Sequence, residues 1–328
     1  MMTRLRSGPR RLSPVLALVA ALVLGPAATH AAYPERPLTL IVPWAAGGGT
    51  DAVARILGVV LEKELGQSVN VVNRTGGGGA VGHTAGATAR GDGYTITMAT
   101  VEITMMHWMG LAQIDHKGYD AVALVNFDPA GVSVRADAPW KTIGELTEHI
   151  RANPGRLKAS GTGPGGIWDV ARAGWLKAIG LPHTAVPWVP SQGAAPALQE
   201  IVAGGIDICT CSLPEAASLI EAGKVKPLAI MAEQRDPRFP NVPTLKETGA
   251  DWVIGAWRGI TVPKGTPPEV VARLEQAVAK GVKSAEFVDF MKNRGFGILY
   301  KGSKDFAAFM AEGDAAMGVL MKDVGLAK

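Results

Sequence analysis

The sequence predicts an α/β fold of two units with mainly parallel sheets, helices on the sheet faces and a cleft between the units. Three observations predict it. Strand-like and helix-like runs alternate from Leu38 to Met231, glycine-rich stretches follow strand-like runs, and two extended segments near residues 130 and 257 join the units. The 328 residues, 47% of them hydrophobic and 19% charged, suffice for two cores.

The first unit begins with the buried strand pattern Leu38–Val42. Residues 51–65 place their apolar side chains on one helical face. Further strands are predicted at Val69–Val72 and Tyr94–Met98, with the glycine-rich stretch GGGGAVGHTAGATAR between them. This βαβ order favours parallel pairing.

The second unit repeats this order. Thr142 and Glu145 form a capping-box start to a helix that ends near Asn153. The predicted elements that follow are a strand Leu157–Ser160, a helix Ile167–Ile179, a strand Thr184–Val186, a helix Ala194–Val202, a strand Ile206–Cys211, a helix Pro214–Ala222 and a strand Val225–Met231.

The last part of the chain differs from both units. An extended segment is predicted at Trp252–Val262, and helices at Pro267–Val282 and Lys304–Val324. If the C-terminal helices return to the first unit, residues 32–130 and 258–328 form domain 1 and residues 131–257 form domain 2. Two crossing segments between domains are typical of a hinge.

Residues 1–31 are predicted to be a cleaved signal peptide that directs the chain to the periplasm. Four arginines precede an apolar run at residues 15–24, and small residues end in Ala31. The run is about half of the roughly 20 residues that a membrane-spanning helix needs, so no membrane insertion is expected after cleavage. Four of the 33 basic residues lie here and none of the 29 acidic ones, so the mature chain is formally neutral. Neutrality argues against a nucleic-acid partner.

The stretch PWAAGGGTDAVAR lies between the first strand and the first helix. Backbone N–H groups and the positive end of a helix dipole would face the cleft there, which favours an anion. The alternative is a tight turn in which Asp51 only caps the helix. No Gly-Lys-Ser/Thr follows the glycines, which excludes a phosphate loop. Gly77–Gly82 matches G-x-G-x-x-G, but Thr97 stands where a nucleotide site needs an acid.

Other candidate groups are few. Arg258 could bind a ligand carboxylate, or pair structurally with Asp207 or Asp251. Four tryptophans adjoin predicted loops and could form apolar walls or simply core: Trp44, Trp168, Trp188 and Trp257. Cys209 and Cys211 are too close in sequence for an unstrained disulfide, which favours two buried thiols. No histidine or cysteine spacing indicates a metal, and no cofactor is expected.

A series of motifs in this order resembles the substrate-binding proteins of tripartite tricarboxylate transporters, also called Bug proteins. The motifs are YPERPLTLIVPWAAGGGTDAVARILGVVLEKELGQSVNVVNRTGGGGAVG, GDGYTI, PALQEIVAGGIDI, AGKVKPLAI, RFPNVPTLKETG and VPKGTPPEVVARL. The resemblance covers nearly the whole mature chain. It implies a periplasmic binding protein fold of the type II-like kind that closes on a small carboxylate and presents it to a membrane permease.

The resemblance also implies the ligand-binding residues. The carboxylate is expected to meet mainly backbone groups and water. The candidates are Trp44, Ala46, Gly47, Gly48, Gly49, Thr50, Asp51, Gly77, Gly78, Thr100, Ser160, Gly161, Thr162, Gly163, Trp168, Asp207 and Arg258. The chain departs from the family pattern at residues 187–193, which lack the lysine of Pro-Tyr-Lys-Gly, and at Trp168-Asp169. These departures bear on the identity of the ligand more than on its class.

The sequence therefore predicts a monomeric periplasmic receptor for an organic carboxylate, without catalysis, that hands its ligand to a permease. Two alternatives stay open. The same cleft could present its ligand to a sensor kinase. A secreted hydrolase could use Ser160 with His83 or His107, although the G-x-S-x-G elbow is absent.

Overall fold

The computed structural model describes residues 33–327. The predicted signal peptide therefore lies outside the described residues, as do Ala32 and Lys328. Within the described range, no helix is both long and apolar enough to span a membrane.

Two sheets share one long strand. The first sheet has the order β2 (Val69–Asn73), β1 (Leu38–Val42), β3 (Thr95–Thr100), β8 (Gly255–Pro263), β4 (Tyr119–Arg135) and β9 (Ile298–Gly302). The second has the order β5 (Ala159–Ser160), β6 (Ile208–Ser212), β4 and β7 (Val225–Ile230). Because β4 pairs with β8 up to Pro129 and with β6 from Ala130, it passes directly from one lobe into the other.

The pairing is mixed. Strands β1 and β2, β1 and β3, and β5 and β6 run parallel, whereas every pair that includes β4 or β8 is antiparallel. The expectation of mainly parallel sheets therefore holds for β1, β2 and β3 and for β5 with β6, but not for the other pairs. The reason is that β4 and β8 are the segments that cross between the lobes. Each of them runs antiparallel to the strands that it joins, β8 to β3 and β4 to β6.

Helices cover the sheets. They are α1 (Gly49–Leu65), α2 (Ala80–Ala87), α3 (Ile143–Ala152), α4 (Ile167–Ala178), α5 (Ala194–Ala203), α6 (Leu213–Glu221), α7 (Pro268–Gly281), α8 (Ala285–Arg294) and α9 (Ser303–Asp323). Helix α1 buries the apolar face that its periodicity predicts, including Val53, Leu57 and Leu61. It ends where Gly66 takes the left-handed conformation, with φ of 69°.

Some predicted elements are wrong. The strand expected at Thr184–Val186 is a 3₁₀ turn at His183–Ala185. Strand β5 has two residues instead of four, because only Ala159 and Ser160 reach the edge of β6. Helix α8 and strand β9 were not predicted at all. The two cysteines are free and buried on β6, as expected.

Candidate ligand-binding site

The two lobes meet at a cleft that contains two compartments. The inner compartment encloses about 20 Å³. Its lining residues are Trp44, Ala45, Gly48, Gly49, Thr50, Thr100, Glu102, Thr162, Ile167, Trp168, Gly193, Ala194, Glu215, Ala256, Trp257 and Arg258. The outer compartment encloses about 380 Å³ between Gly76–Gly79 and Leu111 of one lobe and Gly163, Pro164 and residues 190–192 of the other. The side chain of Trp44 borders both compartments.

The glycine-rich turn before α1 is fixed by Asp51. Its carboxylate accepts hydrogen bonds from the Gly47 amide, from Arg55 Nε and from Asn73 Nδ2, each at 2.9 Å. Burial acts to raise the pKa of Asp51, but the hydrogen bonds from Arg55, Gly47 and Asn73 outweigh it and the pKa lies below its usual value. Asp51 therefore shapes the loop and is not among the lining residues of either compartment.

The N-terminus of α1 is occupied by a carboxylate from the other lobe. The Gly49 amide donates to Glu215 Oε1 at 3.1 Å, and Arg258 Nη2 lies 3.3 Å from the same oxygen. The second oxygen of Glu215 accepts from the Ser212 amide at 3.2 Å, as part of the capping box of α6, and also from Ser212 Oγ at 3.0 Å. Glu215 thus caps its own helix and bridges the cleft.

Arg258 is 2% exposed and held on all sides. Its Nε donates to Thr50 Oγ1 at 3.0 Å, and its Nη1 donates to Asn126 Oδ1 at 2.5 Å and to Asp128 Oδ2 at 2.6 Å. Of the two alternatives for Arg258, the structure shows a pairing within the protein, with Asp128 and Glu215 rather than with Asp207 or Asp251. Asp207 instead accepts from the Lys158 amide at 2.8 Å, and Asp251 pairs with Lys246 at 3.3 Å. Neighbouring strands bring Arg258 to Asp128, since Asn126 and Arg258 are register partners on β4 and β8.

Asp128 separates the inner compartment from a larger cavity. One of its oxygens accepts from the Gly297 amide at 2.8 Å, and the other binds Arg258. Burial raises the pKa of Asp128, although the Arg258 charge opposes the change. The larger cavity, about 800 Å³, is lined by residues 127–129, 234–238 and 295–297, among others. It contains none of the predicted site residues, and the glycine loops do not line it, so we do not assign the ligand to it.

A second cross-lobe contact involves Glu102. The Ile167 amide at the N-terminus of α4 donates to Glu102 Oε1 at 3.1 Å, and Thr100 Oγ1 donates to Glu102 Oε2 at 2.5 Å. Glu102 is 2% exposed, and this burial raises the pKa of its carboxyl. The same Thr100 hydroxyl accepts from Trp44 Nε1 at 3.2 Å, which fixes the indole at the border of the two compartments.

His83 supports this network from behind. Its Nδ1 donates to the Gly79 carbonyl at 2.9 Å, and its Nε2 accepts from the Thr100 amide at 3.2 Å. Burial lowers the pKa of His83 to about 4, so the ring is neutral near pH 7. His83 therefore joins the glycine turn at Gly76–Gly79 to the end of β3.

The second lobe contributes a tight loop after β5. Ser160 Oγ donates to the Val189 carbonyl at 2.7 Å, and Trp188 Nε1 donates to the Thr162 carbonyl at 3.1 Å. Gly163 meets the first lobe directly, because a Cβ atom placed on it would lie 2.7 Å from Gly78 Cα. These contacts hold residues 160–163 and 188–191 together as one wall of the cleft.

Most of the predicted residues converge on the two compartments. Those that line them are Trp44, Gly48, Gly49, Thr50, Gly77, Gly78, Thr100, Thr162, Gly163, Trp168 and Arg258. Ala46, Gly47, Asp51, Ser160 and Gly161 lie beside them without lining them, and Asp207 lies apart at the start of β6. Sequence reasoning missed Glu102, Asp128 and Glu215. Only Glu215 carries a local signal, the capping box with Ser212, and that signal indicates a helix start rather than a site.

Two lobes around a cleft, joined by two crossing strands, define a solute-binding protein. Residues 53–326 match the family described as the tripartite tricarboxylate transporter family receptor. The chain therefore belongs to this receptor family, as its motifs predicted.

Solved structures agree with this assignment. A TctC solute-binding protein from Polaromonas, without ligand, is 37% identical over 89% of this chain and 99% of its own, with a TM-score of 0.65. MatC from Rhodopseudomonas palustris with bound malate is 28% identical over 88% of this chain and 99% of its own, with a TM-score of 0.83. Another R. palustris protein, with adipate, is 26% identical over 90% of this chain and 99% of its own, with a TM-score of 0.84.

Proposed function

We propose that this chain is a periplasmic receptor that captures a small organic carboxylate in the cleft and delivers it to the permease of a tripartite transporter. The observation that carries the proposal is the outer compartment. It encloses about 380 Å³ between glycine turns of both lobes, within the range of small-molecule sites. The relatives with malate and adipate support a carboxylate as the ligand class.

Access of a ligand to the inner compartment requires the lobes to move. The inner compartment, at about 20 Å³, has room for about one water molecule, so a ligand that reaches it must enter a wider cleft. We propose that residues 32–130 and 258–328 move against residues 131–257. The hinge would lie where β4 changes sheets, near Pro129, and where β8 begins, near Gly255. Hinge closure of this kind is common among binding proteins.

The solved relatives support such a motion. The ligand-free Polaromonas protein is the most similar of the three in sequence, yet it superposes less well than the two with malate or adipate. Overall shape therefore varies independently of sequence identity among these proteins. We propose that the lobe angle is what differs, since each lobe is built around its own sheet and helices.

The remaining parts of the proposal concern location and assembly. The arginine, apolar and small-residue order of residues 1–31 supports export and cleavage after Ala31. We propose that the mature chain is a monomer, with the permease as its partner. Mass spectrometry of a periplasmic extract would check the cleavage point, and loss of ligand uptake on gene deletion would separate transport from signalling through a sensor kinase.

We also propose that the chain has no catalytic activity. In the hydrolase alternative, Ser160 would be activated by His83 or His107. Ser160 Oγ instead donates to the Val189 carbonyl, and both ring nitrogens of His83 bind backbone groups. His107 Nε2 lies 3.4 Å from Asp314, in contact with helix α9.

Thermal denaturation with a panel of acids tests the proposal. Succinate, malate, adipate, citrate, amino acids and aromatic acids would each be added to protein freed of copurified ligand by unfolding and refolding. A ligand at 100 times its Kd stabilises the fold by about 2.7 kcal/mol, which raises Tm by several degrees. No rise with any acid would contradict the proposal.

Two tryptophan variants, one at the cleft and one as its matched control, test where the ligand binds. Trp44→Leu removes the indole that borders both compartments and should reduce the ligand-induced rise in Tm. Trp140→Leu removes an indole that packs on His149, outside the lining of both compartments, and should leave the rise unchanged. An equal effect of the two substitutions would mean that the ligand binds elsewhere.

A further inference from the structure

The larger cavity, of about 800 Å³, lies beside the hinge and outside the ligand cleft. Phe127, Asp128 and residues 295–297 of the first lobe face Pro214 and residues 234–238 of the second across it. We call this space the hinge cavity. Its volume is within the range of small-molecule sites, which occur preferentially where two domains meet.

The crossing strands separate the hinge cavity from the cleft. In the first sheet, of order β2-β1-β3-β8-β4-β9, the cleft is lined by residues at the ends of β1 and β3, and the hinge cavity by residues 295–297 just before β9. In the second sheet, of order β5-β6-β4-β7, the cleft is lined by residues that follow β5 and β6, and the hinge cavity by residues that follow β7. The two spaces therefore lie on opposite sides of the strands that join the lobes.

A hinge between two spaces couples their widths. If the lobes rotate about β4 and β8 so that the cleft opens, the walls of the hinge cavity approach each other. A molecule that fills the hinge cavity would therefore bind the closed lobes better than the open ones, and would shift the equilibrium towards closure.

Two contacts connect the hinge cavity with the cleft. Asp128 lines the hinge cavity, and its Oδ2 accepts from Nη1 of Arg258, which lines the cleft, at 2.6 Å. Pro214 and Glu215 are neighbours at the start of α6. Pro214 lines the hinge cavity, whereas Glu215 bridges the cleft to the Gly49 amide. A change on one side of the hinge thus reaches groups on the other side directly.

Apolar side chains form part of the cavity wall in both lobes. Phe127 and Phe296 contribute from the first lobe, and Pro214, Ile230 and Pro237 from the second. Burial of a ring or alkyl group against these side chains is favourable. The hinge cavity is therefore suited to a ligand with an apolar body.

The charged side chains of the cavity are mainly basic. The bases are Arg235, Arg238 and Lys292, and the acids are Asp128 and Asp236. The charge of Asp128 is balanced within the protein, because this carboxylate is paired with Arg258. Arg238 belongs to the second lobe and Lys292 to the first, so an anionic group in the cavity would be attracted by both lobes.

Arg238 has an unused donor group. Its Nη2 donates to Glu221 Oε1 at 3.0 Å, whereas its Nη1 is buried and has no hydrogen-bond partner among the described residues. The side chain reaches the first lobe, since a Cβ atom on Gly295 would lie 2.8 Å from Arg238 Cδ. A buried donor without an acceptor is costly, and an anionic ligand would supply a strong acceptor beside it.

We propose that the hinge cavity binds an organic anion with an apolar body, and that this second ligand stabilises the closed lobes and so strengthens binding in the cleft. Its acidic group lies near Arg238 and Lys292, and its body lies against Phe127 and Phe296. The inference goes beyond the proposed function, because none of the residues that line the cleft compartments lines this cavity.

Isothermal titration of the purified protein with naphthalene-2-sulfonate tests the site. The probe is a sulfonate, so that it differs from the carboxylates expected in the cleft. Naphthalene-2-sulfonamide has nearly the same shape without the charge, and methanesulfonate has the charge without the ring system. Naphthalene-2-sulfonate should bind about tenfold more tightly than either.

Substitutions then connect this binding to the hinge cavity. Lys292→Glu and Arg238→Gln should each weaken naphthalene-2-sulfonate binding about tenfold and leave the sulfonamide unaffected. Lys283→Glu is the matched control. Lys283 is an exposed lysine of the same lobe, like Lys292, but it lines neither the hinge cavity nor the cleft, so its replacement should not change binding.

Two further measurements test the coupling to lobe closure. The acid that raises Tm most would be titrated with and without saturating naphthalene-2-sulfonate, which should strengthen its binding about fivefold or more. By reciprocity, that acid should strengthen sulfonate binding by the same factor. Small-angle X-ray scattering without any acid should show a smaller radius of gyration once the sulfonate is added.

The outcomes separate this inference from the proposed function. If naphthalene-2-sulfonate does not bind, binds no better than the sulfonamide, or retains its full affinity for the Lys292→Glu and Arg238→Gln variants, the site is overturned. Competition between the sulfonate and a cleft acid would place the sulfonate in the cleft and overturn it equally. Binding in the cavity with unchanged acid affinity and an unchanged radius of gyration would overturn the effect on closure. Failure of every acid to stabilise the protein contradicts the proposed function alone, because the sulfonate titration and the scattering need no acid.

Discussion

The stability of the fold should depend on the protonation of His83. Its ring is fully buried, and its two nitrogens bind the Gly79 carbonyl and the Thr100 amide. Burial lowers its pKa from 6.5 to about 4. Between these values the unfolded chain binds a proton that the folded chain does not, so stability falls as pH falls through this window.

The magnitude follows from the size of the shift. A difference of this size corresponds to about 3 kcal/mol of unfolding free energy once pH has fallen well below 4, and to about 2 kcal/mol at pH 5. At pH 7 this destabilisation is absent. The buried carboxyls Glu102 and Asp128 act in the opposite direction, because their raised pKa values let the folded state bind protons first. Their contribution has to be removed by a reference variant.

Urea unfolding monitored by tryptophan fluorescence at pH 7, 6, 5 and 4.5 would measure the effect. The reference is His83→Gln, whose amide can donate and accept in place of the ring but does not titrate. The variant costs stability at every pH, so the informative quantity is the difference between the two proteins. Relative to the variant, the native chain should lose about 2 kcal/mol between pH 7 and pH 5. A difference that stays constant with pH would refute the reasoning.

Three further substitutions have distinct expected results. Gly163→Ala places a Cβ 2.7 Å from Gly78 Cα, so it should hinder lobe closure and weaken carboxylate binding, measured by titration, about tenfold or more. Gly144→Ala on α3, whose Cβ would lie 3.8 Å from Thr142 Oγ1, should not. Arg172→Met leaves the 2% exposed Asp169 without its 2.5 Å partner and should lower the unfolding free energy by about 3–5 kcal/mol in urea. Thr142→Ala removes the N-cap of α3 and should cost about 1 kcal/mol in the same assay.

Local patterns were enough to predict much of the fold. The apolar periodicity of residues 51–65 and the glycine at 66 define α1, and the capping box at Thr142 marks the start of α3. Strand β4 was harder. Its 17 residues continue through Pro129 from one sheet into the other, and only the partners on either side explain why the strand persists. Edge pairing likewise decides that β5 is only two residues long.

The site was predictable only where a motif marks it. The glycine turns after β1 and β2 allowed most of the lining residues to be predicted from the sequence. The partners of Arg258 could not be found in this way, because Asp128 lies 130 positions away and Glu215 lies 43 away. Glu102 follows a strand with no motif of its own, and its contact with Ile167 exists only once the lobes meet.

The anion that the glycine-rich turn before α1 faces in this structure is Glu215. A Cβ on Gly49 would lie 2.8 Å from Glu215 Oε1 and 2.7 Å from Arg258 Nη2, so this glycine is required by a close approach within the protein. A ligand carboxylate at the same amide would have to displace Glu215. That displacement would open the α6 capping box and leave Arg258 with only Asp128 as an acidic partner. The turn therefore holds a carboxylate of the protein itself at the Gly49 amide.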